Sequence, residues 1–355
     1  CEECVVMCED YSIMIPGANS SGKHTVKSPY DGSLIGSVEI ADAKAVEKAL
    51  SGADKLYRDR KNWLPVDQRI AILEKAADIM QQRFEYLATE AAREGGKPLV
   101  DSRVEVARAI DGVRNCAELA RHETGSEIAM RINPASNGHM AFTHREAIGV
   151  VVAISAFNHP LNLIVHQVGP AIAAGCPVII KPAGDTPLSC MRFISILREA
   201  GLPQEWAQAC VVDDNSTAEK LACDERVAFF SFIGSARVGW MLRSKLAPGT
   251  RCALEHGGVA PVVVAADADL DDALPLIAKA GFYHAGQVCV SVQRVYAASD
   301  QAPGIATKLA EIGNKMHIGD PTSENTEIGP LIRTAEVARV DQWVKDAVAD
   351  GAELY

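Results

Sequence analysis

The 355-residue sequence has few aromatic residues and little positive charge. Phe, Trp and Tyr together make up 5% of it, while alanine and glycine are plentiful. That composition suits an α/β protein in which helices pack closely against a sheet. Lys and Arg number 35 against 46 Asp and Glu, a net charge of −11, which argues against nucleic-acid partners and acidic membrane surfaces.

The sequence also lacks long apolar runs, a basic N-terminus and a compact cysteine framework. No stretch approaches the roughly 18 uninterrupted apolar residues of a membrane helix, and the acidic start CEECVVMCEDYS is unlike a signal peptide. Ten cysteines are scattered mostly through apolar segments, which predicts reduced thiols in a cytoplasmic protein without a membrane partner. Cys1, Cys4 and Cys8 have a metal-ligand spacing, but no second Cys/His pair completes a site, so we expect no metal.

Two regions with different periodicity are present. Residues 41–123 carry apolar residues at helical spacing in three segments that end near glycine. From residue 148, buried strands alternate with helices, and Thr186 is expected to cap a helix that begins at Pro187. This alternation predicts a doubly wound parallel sheet, which binds ligands beyond the carboxyl ends of its strands. Between the two regions, PASNG separates two potential strands over residues 126–146 and predicts a β-hairpin.

Three polar segments follow predicted strands, where a parallel sheet would hold its ligand. Asn158, in AFNHPLN, either donates a hydrogen bond to an oxyanion or caps the next helix. Lys181, in VIIKPAGD, either holds ribose hydroxyls or phosphate or is a surface lysine. Gly234 and Ser235, in FSFIGSARVG, lie at a strand-to-helix turn whose backbone N–H groups suit a pyrophosphate, although the G-x-G-x-x-G fingerprint is missing.

Two further segments carry a carboxylate and a thiol. Glu255, in LEHGGVAP, stands beside Gly257 and Gly258, where a bend would let it activate a water as general base. Cys289, in AGQVCVSVQR, is either a small core residue or a nucleophile at the tip of a glycine-bearing loop. A second domain, with a strand and a helix before this loop, is expected from residue 257.

Seven segments, taken in order, resemble landmarks of the aldehyde dehydrogenase superfamily: REGGKP, FNHPLN, IIKPAGDTPLS, FIGSARVG, LEHGG, GQVC and EIGPLI. The resemblance runs from about residue 12 to the end of the sequence. It implies that Cys289 attacks the aldehyde to form a thiohemiacetal and, after hydride transfer, a thioester. It also implies that Asn158 and the Cys289 backbone N–H form the oxyanion hole and that Glu255 activates the hydrolytic water.

The resemblance implies a cofactor site, a fold and an assembly as well. NAD or NADP would be held by positions in three of these segments: Phe157, Lys181, Ala183, Gly184, Gly234 and Ser235. The implied α/β fold has a cofactor-binding domain, built on the doubly wound sheet, over residues 1–125 and 147–256. An oligomerisation hairpin over 126–146 and a catalytic α/β domain over 257–355 complete it. A homo-oligomer, dimer or tetramer, is expected of the full-length form.

The sequence departs from the family pattern at three points. His256 replaces the usual leucine after the glutamate. Gly184 stands where NAD-preferring members often carry a glutamate that repels a 2′-phosphate, which leaves room for NADP. The chain ends before the family's second nicotinamide-ribose glutamate motif and its C-terminal oligomerisation strand, so the catalytic domain is expected to be C-terminally incomplete.

The expected substrate site combines six positions: Arg108, His159, Asn162, His166, Val288 and Val290. The two histidines and the asparagine stand where many family members carry aromatic or apolar residues, and Arg108 falls on the family's pocket-lining helix. A guanidinium near an imidazole suits a carboxylate, phosphate or phosphonate on a short aldehyde. In the alternative interpretation, Arg108 is solvated and pairs with Glu105 or Asp111.

The implied function is the NAD(P)-dependent oxidation of a short, polar or anionic aldehyde to the carboxylic acid. Two groups of relatives are considered: phosphonoacetaldehyde or semialdehyde dehydrogenases, and lactaldehyde or glyceraldehyde 3-phosphate dehydrogenases. Val288 replaces a basic residue found beside the nucleophile in some branches, which weakens the phosphonate hypothesis. An enzyme that acylates coenzyme A is one alternative, against which Glu255 weighs, and a catalytically silent fragment is another.

Overall fold

The computed structural model describes residues 8–212 and 214–355. Its strands, in chain order, are β1 (Glu9–Tyr11), β2 (Gly22–Lys27), β3 (Leu34–Ile40), β4 (Glu127–Ile128), β5 (Ala141–Phe142), β6 (Val150–Ile154), β7 (Val178–Lys181), β8 (Ala207–Ala209), β9 (Val227–Ile233), β10 (Arg251–Glu255), β11 (Pro261–Val263) and β12 (Arg294–Tyr296). Its helices are α1 (Ala43–Arg58), α2 (Val66–Gln82), α3 (Phe84–Gly95), α4 (Leu99–His122), α5 (Asn162–Ala173), α6 (Leu188–Ala200), α7 (Asn215–Cys223), α8 (Ala236–Arg243), α9 (Leu270–Phe282), α10 (Ala302–Lys315) and α11 (Thr334–Ala349). Cys1 and Cys4, considered above as metal ligands, lie outside the described residues.

Five parallel strands form the central sheet, in the order β10, β9, β6, β7, β8. The chain enters in the middle at β6, extends to one side through β7 and β8, and then returns to the other side through β9 and β10. Every residue of β6 is buried, as expected for a parallel strand covered on both faces. The predicted doubly wound parallel sheet is therefore confirmed, and β10, which the sequence analysis did not anticipate, extends it by one strand.

Alternate side chains of β6 point into two separate hydrophobic cores. Val151 and Ala153 pack with residues of α2, α4, α5 and α6. Val150, Val152 and Ile154 pack with residues of α1, α7 and α8. Because successive side chains of a strand point to opposite faces, one apolar run serves both layers. The resulting three-layer arrangement holds the carboxyl ends of the strands at one edge.

The cap predicted for α6 is wrong. The Thr186 hydroxyl makes no hydrogen bond within the described residues. Instead the fully buried carboxylate of Glu94, at the end of α3, accepts hydrogen bonds from the backbone N–H groups of Leu188 and Ser189, the latter at 2.9 Å. The first-turn N–H groups of a helix need acceptors, and here a carboxylate from another helix supplies them in place of the local hydroxyl.

The helical region before residue 123 differs from the prediction in two ways: one predicted helix is divided in two, and a small sheet precedes the region. The second predicted helical segment is two helices, α2 and α3, separated at Arg83, whose φ of −102° and ψ of 20° interrupt the helix. Before α1, the strands β1, β3 and β2 form a three-stranded sheet that the sequence analysis did not anticipate. None of the helices of residues 8–212 and 214–355 combines the length and apolar character needed to cross a membrane.

The predicted hairpin is present as two short antiparallel strands. Glu127 lies opposite Phe142, and Ile128 lies opposite Ala141. After β10, the strands β11 and β12 pair in parallel, and α9 and α10 pack beside them around a third hydrophobic core that includes Val264, Leu274 and Ile305. The loop that carries Cys289 connects α9 to β12, so the core of this last region supports it.

Candidate active site

The predicted site residues meet at the carboxyl edge of the central sheet. Ile154, the last residue of β6, lies opposite Lys181 on one side and Phe232 on the other. Phe232 in turn lies opposite Leu254, the residue before Glu255. Asn158 and Ser235 follow β6 and β9 at the same edge because the strands are parallel. The structure therefore brings together four segments that are separated in sequence.

The nucleophile loop follows a turn with unusual backbone geometry. His284, Ala285 and Gly286 have φ angles of 48°, 53° and 74°, so three successive residues lie in the left-handed region. Such a run is costly for residues other than glycine and persists only where packing holds it, here around the fully buried His284. The turn directs the next residues back toward the sheet, where Cys289 is exposed.

A hydrogen bond joins this loop to the end of β6. The Asn158 side-chain Nδ2 donates to the backbone oxygen of Gln287 at 2.9 Å. Because an amide nitrogen carries two hydrogens, one remains for a further acceptor near Cys289. The oxyanion hypothesis for Asn158 needs a donor near the thiol, and this bond ties the amide to the loop two residues before Cys289. The alternative, that Asn158 caps α5, is not observed, since the backbone N–H groups at the start of that helix donate to Glu105.

Gln287 fixes the loop from its other side, a contact that the sequence analysis missed. Its Nε2 donates to the backbone oxygen of His284 at 3.2 Å, and its Oε1 accepts from the backbone N–H of Ile332 at 3.0 Å. Ile332 belongs to EIGPLI, so two of the family-like segments are in direct contact. The sequence indicates only that both segments belong to the same family pattern. It does not indicate that they are in contact.

The segment after Glu255 passes directly against the nucleophile. A Cβ atom at Gly258 would lie 2.9 Å from the backbone oxygen of Cys289, closer than real Cβ contacts allow. Glycine is therefore required here by the approach of two backbones rather than by a positive φ. Glu255 itself is exposed at the end of β10. The side chains of Glu255 and Cys289 thus stand on neighbouring segments, both open to solvent.

The cofactor positions are sparsely hydrogen-bonded. The half-buried Lys181 donates to the backbone oxygen of Pro182 at 3.1 Å, and burial lowers its pKa from the ordinary value. Ser235 begins α8 without a capping side-chain bond and is exposed. A Cβ atom at Gly184 would meet no described atom within 4 Å. An ammonium, a hydroxyl and free first-turn N–H groups are the donors that a dinucleotide needs, so these residues fit NAD or NADP.

Gly234 contributes differently from the prediction. Its backbone N–H donates to the backbone oxygen of Glu255 at 3.0 Å, so that group continues the sheet and is not free for a pyrophosphate. A Cβ atom at this position would lie 2.7 Å from the Phe232 ring, which accounts for the glycine by packing. Phosphate contacts are thereby left to Ser235 and the following N–H groups. Phe157 and Ala183 are half-buried at the same edge.

The alternative interpretation, in which Arg108 pairs with a neighbouring carboxylate, is not observed. Within the described part of the chain Arg108 forms no ion pair with Glu105 or Asp111, and Glu105 pairs instead with Lys97. Arg108 is exposed, and its charge acts on two imidazoles. Burial, and then Arg108, lower the pKa of His166. Arg108 thus has no carboxylate partner in the described part of the chain, and, besides burial, its charge lowers the pKa of both His159 and His166.

The remaining substrate positions divide by exposure. Asn162 and Val288 are 3% and 6% exposed and pack behind the surface of the site. Val290, in contrast, is 68% exposed on the other side of Cys289. Among residues 8–212 and 214–355 no group of three His, Cys, Asp or Glu side chains is arranged to hold a metal ion.

A parallel sheet with nucleotide-binding donors at its edge, beside an exposed cysteine, defines a nucleotide-dependent oxidoreductase. Comparison with known proteins makes this specific. A profile of the aldehyde dehydrogenase family matches residues 17–355, and the chain belongs to that family. It is an oxidoreductase that acts on an aldehyde with NAD or NADP as cofactor.

Three relatives illustrate the similarity. The 3-sulfolactaldehyde dehydrogenase of Priestia megaterium is 37% identical over 348 residues, which cover 98% of this chain and 72% of the relative. The crystal structure of an NAD-dependent aldehyde dehydrogenase from Sinorhizobium meliloti superposes with a TM-score of 0.91 at 31% identity, covering 98% of this chain and 70% of that one. The glyceraldehyde-3-phosphate dehydrogenase of Methanocaldococcus jannaschii, complexed with NADP, gives 0.87 at 31% identity, covering 92% and 71%.

Proposed function

We propose that this protein oxidises a short anionic aldehyde to the corresponding acid through a covalent adduct at Cys289. The observation that carries the substrate class is the exposed Arg108, which has no carboxylate partner in the described residues and whose charge acts on His159 and His166. A free guanidinium together with two hydrogen-bonding rings matches the needs of a sulfonate, phosphate or carboxylate. Two of the relatives are named for a sulfonated and a phosphorylated aldehyde, which supports the same class.

The first half of the reaction uses Cys289 and Asn158. The Cys289 thiolate attacks the carbonyl carbon, and the carbon–oxygen π bond becomes an oxyanion. The free hydrogen of Asn158 Nδ2 and the Cys289 backbone N–H stabilise that oxyanion. One donor of this kind lowers the activation barrier by about 2.7–4 kcal/mol. NAD or NADP, which Lys181 and Ser235 would hold, would supply the acceptor for the hydride from the same carbon, and the acyl group would remain on Cys289 as a thioester.

The second half uses Glu255. Its carboxylate removes a proton from a water molecule, and the water oxygen attacks the thioester carbon. The carbon–sulfur bond breaks, the acid leaves, and Cys289 returns to the thiolate while Glu255 passes its proton to solvent. The exposed position of Glu255 on the segment adjoining Cys289 supports this role over transfer to coenzyme A.

We propose further that NADP is accepted. Lys181 and Ser235 supply donors at the cofactor edge, and Gly184 leaves open space and contributes no carboxylate of its own. A 2′-phosphate on that side meets the ammonium of Lys181 without an opposing acidic side chain at position 184.

The hairpin is proposed to contact a second copy of the chain. Its apolar side chains Ile132, Met140 and Phe142 are all strongly exposed. Exposed apolar groups on a projecting element favour association. Light scattering should report an oligomer for the full-length protein, and Phe142→Ser should shift it toward smaller species. A monomer in both samples would contradict the proposal.

The test of the proposed activity is a substrate panel with NAD and NADP in parallel. The panel contains 3-sulfolactaldehyde, glyceraldehyde 3-phosphate, succinate semialdehyde, lactaldehyde and propanal, and formation of the reduced cofactor is followed by absorbance. We expect the three anionic aldehydes to have kcat/KM at least about tenfold above the two neutral ones, as expected for a charge-assisted contact. Equal values for lactaldehyde and the anionic substrates would contradict the anionic class.

A further inference from the structure

A charged cluster lies buried beneath the substrate site and has no part in the mechanism above. Lys97 and Glu105 form an ion pair whose side chains are both 0% exposed. Lys97 follows Gly96, which ends α3 with a φ of 73° and turns the chain inward. The other Glu105 oxygen accepts the backbone N–H groups of Leu161 and Asn162 at 2.8 and 2.9 Å, which anchors the start of α5.

The Lys97 ammonium also contacts His159. Its Nζ lies 3.0 Å from His159 Nδ1, within hydrogen-bond distance. An ammonium group has donors only, so Nδ1 must be the acceptor. The single ring proton of a neutral His159 is then on Nε2, the nitrogen on the far side of the ring. A second proton on Nδ1 would point at an N–H of the Lys97 ammonium, and the two donors would repel each other.

Other groups around His159 act on its charge in both directions. Glu105 Oε2 lies 3.9 Å from Nδ1, but Lys97 is closer and occupies that carboxylate oxygen. Arg108 on α4 and His166 on α5 both disfavour a cation, and Tyr283 packs on the ring with centroids 6.2 Å apart. His284 is buried nearby. Burial, and then the charge of Lys97, lower the pKa of His159 to about 4.

The charge state of Lys97 follows from its partner. Burial lowers the pKa of Lys97, and the Glu105 carboxylate in contact with it opposes that shift. Burial alone would raise the pKa of Glu105, yet the charge of Lys97 brings it below the ordinary value. The pair therefore remains ionised, with the ammonium as donor to both Glu105 and His159.

We propose that Lys97 is a positioning residue that fixes His159 as the neutral Nε2–H tautomer, so that His159 gives the substrate a hydrogen bond independent of pH. The inference rests on the proposed function, because it takes the anionic group of the substrate as the acceptor. It divides the recognition between two residues: Arg108 supplies the charge, and His159 supplies direction. Substrate affinity should therefore not follow the ordinary titration of histidine between pH 5.5 and 8.

The first test measures the tautomer without any substrate. Two-bond ¹H–¹⁵N correlation spectra of histidine-labelled full-length protein distinguish protonated from unprotonated ring nitrogens, and the His159→Asn variant assigns the signals. We expect an unprotonated Nδ1 and a protonated Nε2 that do not change between pH 5.5 and 8. An Nδ1–H tautomer, or a midpoint within that range, would overturn the proposal even if the enzyme is inactive on every aldehyde tried.

The second test removes the charge pair. Lys97→Met alone leaves a buried unpaired carboxylate, so it is combined with Glu105→Gln, whose amide oxygen still accepts from α5. The double variant removes the donor to Nδ1 and leaves His159 buried, so the two-bond spectra should show a mixture of Nδ1–H and Nε2–H tautomers. KM for 3-sulfolactaldehyde should then rise about two- to fivefold, since part of the His159 population no longer offers Nε2–H to the substrate. Propanal should show no such change.

The outcomes separate the inference from the proposed function. If the unmodified protein shows the expected tautomer but His159→Asn leaves KM for 3-sulfolactaldehyde unchanged, His159 does not touch the substrate and the proposal fails. If the double variant does not fold, the spectra of the unmodified protein still decide the tautomer. A pH-dependent KM for 3-sulfolactaldehyde in the unmodified protein, with midpoint near 6.5, would also overturn it.

Discussion

Two regions of the site are built from similar polar residues but differ in their hydrogen bonding. One is the cofactor edge, with Lys181, Gly184 and Ser235, and the other is the floor beneath the substrate site, with Lys97 and Glu105. At the edge, Lys181 and Ser235 make few or no side-chain hydrogen bonds, and the space at Gly184 is open. In the floor, Lys97 and Glu105 are buried and bonded to each other and to neighbouring groups. Donors kept free suit a ligand that comes and goes, whereas saturated buried groups hold a geometry.

Removing the nucleophile should have the largest effect of the four changes, because it abolishes the chemical step and leaves cofactor binding in place. Cys289→Ala should lower kcat by at least about three orders of magnitude, since no other group can form the thioester. Binding of NADP, followed by fluorescence, should be unchanged because the cofactor edge is intact. The control is Cys223→Ala, half-buried at the end of α7, which should keep normal turnover. Normal turnover of the Cys289 variant would refute the assignment.

The next largest effect is expected at Glu255, which precedes the segment that passes against the nucleophile loop. Glu255→Gln should slow steady-state turnover about 10²–10⁴-fold because water is no longer deprotonated, while the first turnover keeps its rate. A rapid burst of reduced cofactor, measured by stopped-flow absorbance, should precede the slow phase. The exposed Glu225, changed to Gln in the same way, serves as the control. Equal loss of burst and steady state would place Glu255 in acylation as well.

Arg108 combines features of the two regions, because it is exposed but lies on α4, the helix that carries the buried Glu105. Arg108→Ala should raise KM for 3-sulfolactaldehyde about ten- to a hundredfold and that for propanal little, since a charge-assisted contact of about 1.5–3 kcal/mol is lost. Arg114, exposed further along α4, is the matched control, and Arg114→Ala should leave both constants unchanged. Similar increases for the two aldehydes would place Arg108 outside the substrate site.

The smallest effect is expected from closing the open space at the edge. Gly184→Glu places a carboxylate near the ribose and should lower kcat/KM with NADP about tenfold relative to NAD, through charge repulsion. Gly184→Gln, of equal size and no charge, separates repulsion from bulk and should change the ratio little. An unchanged ratio in the glutamate variant would mean that the adenosine ribose lies elsewhere.

The sequence predicts the edge well because its signals are local. Asn158, Lys181 and Ser235 each follow an apolar strand of a few residues, and parallel strands place their carboxyl ends together. The floor is different, because its contacts join residues far apart in the chain. Glu94 caps α6 from α3, and Glu105 was one alternative partner for Arg108 at i+3, whereas the structure pairs it with Lys97. No periodicity indicates which buried charges meet.

The same distinction explains the missed elements. The strands β1, β2 and β10 are only partly buried and β3 is interrupted by Gly36 and Ser37, so all four give weaker patterns than the continuous apolar run of β6. Gln287 lies in a segment singled out for its cysteine, but its bonds to His284 and Ile332 depend on a turn of three left-handed residues. Such a turn is stabilised by packing around His284 and is not encoded by glycine alone.

The entry of the chain at the middle of the central sheet has a consequence for synthesis. Val150 of β6 pairs with Val227 of β9, so one side of the central strand stays unpaired until β9 has been made. At elongation rates of about 5–20 residues per second this interval lasts roughly 4–15 s. During it an entirely apolar strand is an open edge, the arrangement most prone to pairing with another chain. We expect ribosome-bound chains arrested before β9 to bind chaperones more strongly than chains arrested after β10, which crosslinking of the two nascent species would measure.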